Sequence, residues 1–418
     1  MNNELVLHHT QEKALNFLVD AIENKKDIVA LVGAAGTGKS EILSRLLLLT
    51  DREITVSATT NKAASRLSKD IPGACTIHSA TAIPVFKANY IDIENFINDL
   101  NREPEDKKDE FIKKYAFILS AKEFIKKWNI EPEKFNSMQD LIHSIGINAF
   151  DPEIFSMYKL HDYIPGSVII IDEASMLPEK SWYNEGSLIT IGLDSVKKVF
   201  SQVILVGDDS QLPPINSSSS FEGIEKVELT KNYRSEKDLL RAIQWARDGK
   251  SFYDWENRED ENVKVVSGIS NRWYTGAFGR SDISFLTYRN ATRHEINKKV
   301  RGNRGKFPED GEVFFWRGKS DENTTKGEIG TFKADTHSVE FENSGYYVYD
   351  YTYIDGYDDG YARIAYAYAG TTHSFQGSSN KHIILFIDDI PSFIDADTKR
   401  RFIYTGVSRA EESLTIII

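Results

Sequence analysis

Residues 31–41 read LVGAAGTGKSE, in which Gly33, Gly36, Thr37, Gly38, Lys39 and Ser40 satisfy G-x-x-x-x-G-K-[ST]. This stretch restricts the fold more than any other. Its glycines let successive backbone N–H groups turn toward a nucleotide's phosphates, Lys39 can reach the β and γ phosphates, and Ser40 can ligate Mg²⁺. Such a loop needs a strand in front of it and a helix behind. The apolar run over 28–32 and the helical pattern over 41–49 supply both. The helix also directs its positive end at the same anion.

The neighbouring sequence extends that α/β pattern. A helix is expected over 11–22, a strand over 54–56 and a helix over 62–67, with further apolar strands over 168–171 and 203–206 that end in acidic residues. Short β-rich runs between helical segments indicate a parallel sheet with crossover helices, whose ligands gather at the carboxyl ends of the strands. A second alternating half begins near 236, where ISFLTYRN leads into a helix over 291–300, and IAYAYA, HIILFI and LTIII read as further buried strands. Two stretches break the pattern. Residues 79–160 include an amphipathic helix over 105–128, with Phe111, Tyr115, Ile118, Ile125 and Trp128 on one face and lysines over much of the rest. It reads either as a packed stripe under a solvated face or as a surface for nucleic acid or a partner. Residues 301–364, with EVFFW, EIGTF and YYVYDYTY between turn residues, suggest a small all-β insertion.

At 418 residues the chain has room for two to four domains. No apolar stretch approaches the roughly 20 residues of a membrane span, and MNNELVLHHTQEK lacks the basic-then-apolar order of a signal peptide. The single cysteine, Cys75, leaves no internal disulfide framework and no Cys-based zinc site. A cytoplasmic protein without a membrane role is the expectation. The net charge of −12 argues against non-specific coating of nucleic acid. It still permits a local groove with a few phosphate donors.

Three further segments carry chemistry. VIIIDEASM ends a buried strand in Asp172, placed to hold the metal, and Glu173, placed to polarise an attacking water. In VILVGDDSQLPPI, Gln211 can hydrogen-bond a γ-phosphate, although the same residues also suit a plain turn. Arg234 in LTKNYRS and Arg409 in YTGVSRAEE are candidates for a guanidinium clamp on transition-state charge.

Taken in order, these segments resemble the superfamily 1 helicases, most closely the RecD-like and phage Dda-like branch, superfamily 1B. HHTQEKAL with Gln11 looks like that family's adenine-reading element. GAAGTGKS, SATTNKAASRL, TIHS, IIIDEASM, GDDSQLPPI, LTKNYRS, TTHSFQGSS and YTGVSRA follow the order of its motifs. The resemblance covers about half the chain. It implies two RecA-like P-loop motor domains, 1–78 with 161–235 and 236–300 with 365–418, each a parallel sheet with flanking helices. It also implies a mainly helical insertion over 79–160 and an SH3-like β insertion over 301–364. ATP and Mg²⁺ would be the cofactors.

The resemblance further implies an ATP-driven motor on single-stranded DNA and at single-strand/duplex junctions, acting as a monomer. Gln376–Gly377, where the UvrD-like branch has Lys-Gly, implies 5′→3′ polarity; Tyr233, able to stack on adenine, also fits the UvrD-like branch. The backbone at Gly377 would face the nucleotide. The DNA strand would run past Thr60, Asn61, Thr76, His78, Tyr288, Asn290, Thr372 and His373. Phe86 or Tyr90 is read equally as an unwinding wedge or as core. The same residues also suit a translocase without efficient unwinding, or a motor subunit attached to a replisome, single-strand-binding or nuclease partner.

Overall fold

The computed structural model describes residues 7–85, 157–184, 187–214, 217, 220–233, 237–256, 262–304, 308–316, 328–336, 338–341, 347–348 and 364–418. The helix expected over 105–128, Phe86, Tyr90 and Arg234 lie outside the described residues.

The first sheet contains β1 (Ile28–Gly33), β2 (Ile54–Ala58), β3 (Cys75–Thr76), β4 (Ile164–Asp172), β5 (Phe200–Gly207) and β6 (Lys226–Leu229). Their spatial order is β6-β1-β5-β4-β2-β3. β1 runs parallel to both β5 and β6, and β2 to both β3 and β4. Parallel neighbours need crossovers, and helices α1 (His9–Glu23), α2 (Lys39–Leu49) and α3 (Asn61–Asp70) flank the strands. Because both sheet faces are covered, β1, the part of β4 over 168–171 and the part of β5 over 203–206 read as unbroken apolar runs. Leu18, Leu31, Ile42, Leu43, Val168 and Ile204 meet in one buried cluster.

The second sheet has β7 (Val263–Val266), β8 (Ile283–Thr287), β9 (Ala369–Thr371), β10 (Asn380–Phe386) and β11 (Ala410–Ile417), ordered β7-β11-β10-β8-β9. Every pair in it is parallel. Helices α4 (Lys237–Arg247), α5 (Asn290–Arg301) and α6 (Ala396–Val407) belong to this half. Leu239 of α4 and Phe402, Tyr404 and Val407 of α6 share a core with Leu286 and Ile416 of the sheet. Two RecA-like folds therefore stand in one chain.

A five-stranded antiparallel sheet separates β8 and β9 in sequence. Its order is Tyr347–Val348, Ser338–Phe341, Ile329–Lys333, Val313–Trp316, Ile364–Tyr366. Here the expectation for IAYAYA needs correction. The run is two strands: Ile364–Tyr366 pairs antiparallel with Val313–Trp316, and only Ala369–Thr371 joins the parallel sheet. The chain changes sheet at Ala367 and Tyr368, where the alternation continues unbroken while the partners differ.

Both parallel sheets and the antiparallel sheet lie in one compact unit, Met1–Ile77, Gly166–Pro178 and Gln202–Ile418. A second unit comprises His78–Pro165 and Glu179–Ser201. Within it, Ala82–Val85 pairs antiparallel with Met157–Leu160 and Trp182–Asn184 with Ser187–Thr190. Among the described residues, no helix is long and apolar enough to cross a membrane.

Candidate nucleotide hydrolysis site

The phosphate loop leaves β1 at Gly33 and enters α2 at Lys39. Gly36 and Gly38 have φ of 80° and 89°, a region that only glycine enters without steric cost. A Cβ on Gly38 would also run into the Gln11 amide. Gly38 caps α2 without a side-chain hydrogen bond, so the first N–H groups of the helix are left for an anion. Thr37 is buried and donates its hydroxyl to Ala34 O at 2.8 Å. Lys39 Nζ donates to Gly33 O at 2.6 Å and to Ala34 O at 2.9 Å, which folds its ammonium back over the loop. Ser40 is exposed beside it.

Gln11, expected in an adenine-reading element, is buried beside the loop. It is the N3 residue of a capping box on α1: Oε1 accepts from His8 N at 3.0 Å, while Nε2 donates to Thr37 O at 3.4 Å. The amide is committed at both ends and braces the loop. From the far side, Asn232 Nδ2 donates to Ala35 O at 2.6 Å and Tyr233 N donates to Gly36 O at 2.8 Å. The Tyr233 ring is half exposed, with the Lys231 ammonium 5.0 Å from its centre. The segment that carries Arg234 is thus fastened to the phosphate loop up to the preceding residue.

β4 delivers the acidic pair. Asp172 is its last residue and is buried, with Oδ1 accepting from Glu173 N at 2.9 Å. Glu173 adopts φ 53° and ψ 36°, a left-handed conformation that costs about 1–2 kcal/mol for a residue with a Cβ. Strain of this kind concentrates at functional sites. Burial, reinforced by the Glu173 charge and opposed by Lys39, pushes the Asp172 carboxyl up to about 6. A buried carboxylate in that environment fits a divalent cation. Among the described residues, no cluster of three His, Cys, Asp or Glu side chains could hold one. The cation would therefore rest on Asp172, Ser40 and the phosphates themselves.

The raised Asp172 value sets a pH dependence. The folded chain binds that proton more tightly than the unfolded chain, whose carboxyl titrates near 3.9. Its stabilising contribution is therefore complete below about pH 4 and lost as pH rises through about 6. Asp172→Asn removes the loss, worth at most about 3 kcal/mol. The melting-temperature gain of the variant over the unmodified protein is expected to be near zero at the acid end and largest above about pH 7. A constant offset across the range would contradict the assignment.

The loop after β5 joins the two sheets. Asp208, which the sequence reading overlooked, is buried and accepts from Tyr404 Oη at 2.6 Å, Ser210 N at 3.1 Å and Gln211 Nε2 at 3.3 Å. Burial raises its carboxyl as well. Gln211 is buried with Oε1 unpartnered. Leu212 N donates to Thr405 Oγ1 at 3.0 Å, and Gln376 Nε2 donates to Leu212 O at 2.9 Å. Arg401 donates to Asp209 O at 2.6 Å and Gln211 O at 3.0 Å. Helix α6 and the turn at Gln376 thus grip residues 208–212 from the second sheet. The strand-then-Asp pattern of β5 repeats that of β4, and this was the one local signal for Asp208.

Arg409 follows α6 and is buried. It donates to Thr405 O and Ser378 O, each at 3.1 Å, and to Ser408 Oγ at 2.9 Å. Burial lowers its proton affinity while the Glu173 and Asp208 charges raise it. A guanidinium from the second sheet therefore lies in the field of acids from the first. Gly377 has φ 71°, and a Cβ there would lie 3.6 Å from Thr60 Oγ1, so the turn after Gln376 meets the start of α3.

The residues expected along the strand divide. Thr60 caps α3 by accepting from Ala63 N at 3.1 Å, and Asn61 begins that helix. Thr76 ends β3 and His78 follows it, both half-buried, while Asn290 is exposed at the first position of α5. His373 is half-buried, and burial lowers its pKa. One expectation needs correction. Thr372 is buried, with its hydroxyl unpartnered and its amide donating to Thr287 O at 3.0 Å, so its side chain faces the protein. Tyr288 is half-buried, with its ring 5.2 Å from that of Phe402 at the edge of the second core.

Residues 6–262 match the AAA domain family, and residues 366–417 match the UvrD-like helicase C-terminal domain. Among solved structures, the chain is similar to Pif1 helicase from Bacteroides bound to single-stranded DNA, and to the same helicase in complex with ADP-AlF3 and single-stranded DNA. Each likeness has 17% identity and a TM-score of 0.51, covering 99% of this chain and 92% of the other. At that identity the likeness is one of fold. No curated protein matches the chain in sequence.

Proposed function

We propose that this chain, which belongs to the AAA-domain family and is an ATP-hydrolysing DNA helicase of superfamily 1B, moves 5′→3′ along single-stranded DNA and opens duplex at the junction ahead. One observation carries the reading. Residues 208–212, at the end of a first-sheet strand, are hydrogen-bonded by Tyr404, Thr405, Arg401 and Gln376 of the second half. A nucleotide in the phosphate loop can then bias both halves at once, which a conformational motor requires.

In this reading the loop amides and Lys39 bind the phosphates, and Tyr233 borders the base. Ser40 and Asp172 hold Mg²⁺, which supplies charge neutralisation on the phosphate oxygens. Glu173 orients the attacking water, Gln211 senses the γ-phosphate, and Arg409 stabilises the charge that builds on it, with Arg234 as a second candidate. Thr60, Asn61, Thr76, His78, Asn290 and His373 hold the strand by its backbone, so that movement does not depend on base sequence. The polarity rests on Gln376–Gly377 and YTGVSRA, which follow the RecD-like form.

The test is unwinding of duplexes that carry only a 5′ or only a 3′ single-stranded tail, with ATP. Opening of the 5′-tailed duplex alone is the expected result. Opening of the 3′-tailed duplex alone would overturn the polarity, and opening of neither would reduce the chain to a translocase.

A further inference from the structure

One exposed arginine near the acidic pair has no part in the mechanism above. Arg66, on α3, places a guanidinium nitrogen 3.4 Å from Glu173 Oε1 and 3.8 Å from Asp172 Oδ2, with its own side chain 52% exposed. Its helix is tied to the same two residues through backbone atoms. Thr59, at the turn before α3, donates its hydroxyl to Glu173 O at 3.0 Å and its amide to Asp172 O at 3.3 Å. Thr60 and Asn61, the residues assigned to the DNA strand, form the cap and first turn of α3.

We infer that Arg66 is a positioning residue that restrains the Glu173 carboxylate until single-stranded DNA engages the start of α3, and so sets how strongly DNA stimulates hydrolysis. The inference rests on the reading of Glu173 as the group that orients water. A guanidinium against Oε1 competes with a water for that oxygen and biases the direction in which the carboxylate faces. α3 is a ten-residue helix, rigid enough for a phosphate bound at its amino end to move Arg66 with it. Because the guanidinium is half exposed, the ion pair is weak. That suits a catch that DNA binding can release.

The experiment measures steady-state ATP turnover with and without saturating oligo(dT) for the unmodified chain, Arg66→Gln, Arg66→Lys and Glu173→Gln. Arg66→Gln is expected to raise DNA-free kcat about three- to fivefold, the weight of a part-exposed ion pair. Its KM for ATP and its DNA-saturated kcat should stay within about twofold. Arg66→Lys, which keeps the charge, should retain most of the stimulation. An unchanged stimulation ratio would overturn the inference and leave Arg66 a structural counter-charge. A fall in kcat both with and without DNA would also overturn it, since Arg66 would then act on the reacting phosphate. Glu173→Gln distinguishes the two levels. If that variant turns over ATP normally, the reading of Glu173 fails whatever Arg66 does.

Discussion

Glu173→Gln is expected to lower DNA-stimulated ATP turnover by about 10²–10³-fold, the range in which positioned acid–base groups act. ATP affinity should stay within about threefold, because the proposed phosphate contacts lie in the loop at Gly33–Ser40. Gln keeps the size of the side chain and the left-handed backbone at this position, so the acidic pair retains its shape. The variant should bind ATP and single-stranded DNA together and then stall. Single-turnover hydrolysis, with nucleotide and DNA binding measured on the same preparation, checks this. Normal turnover would remove Glu173 from the mechanism, and loss of ATP binding would make it structural.

Arg409→Ala carries the second large effect. A guanidinium that meets transition-state charge is worth about 10³–10⁵ in kcat. A fall of about 10³-fold, or about 4 kcal/mol, is therefore expected. The residue is buried and its hydrogen-bond acceptors are the oxygens of Thr405, Ser408 and Ser378. Truncating it leaves a cavity and takes a donor from Thr405 O and Ser378 O, which lowers stability as well. The rate is therefore compared per folded molecule, on which the fall should persist. ATP affinity should weaken by no more than about tenfold, since Arg409 follows α6 in the second half and acts chiefly as charge develops. A variant that melts far earlier and hydrolyses normally per folded molecule would contradict this role.

The parts of the site legible in the sequence are those whose chemistry is local. Four residues in a fixed spacing, Gly33, Gly38, Lys39 and Ser40, define the phosphate loop, and an apolar run ending in Asp172–Glu173 marks a strand end whether or not its neighbours are known. What was not legible depends on contacts between distant residues. Tyr404 and Asp208 are 196 positions apart, and a tyrosine in an amphipathic helix looks like any core aromatic. The same applies to Thr405 and Gln376. Arg66 reads as a solvated helix charge until the fold brings Glu173 beside it. Thr372 failed in the opposite direction: a residue type suited to a DNA track was turned inward, at the start of the 3₁₀ turn His373–Phe375. The IAYAYA run was misread because alternation reports which side chains are buried, and says nothing about which sheet the strand joins.

Hydrolysis is proposed to be coupled to a single strand of DNA. The decisive measurement is steady-state ATP turnover of the unmodified chain with and without saturating oligo(dT). Turnover should be slow alone and rise at least tenfold, about 1.4 kcal/mol off the barrier, when the strand is added. Equal turnover with and without DNA would contradict the account, because the site would then hydrolyse ATP with no track to drive.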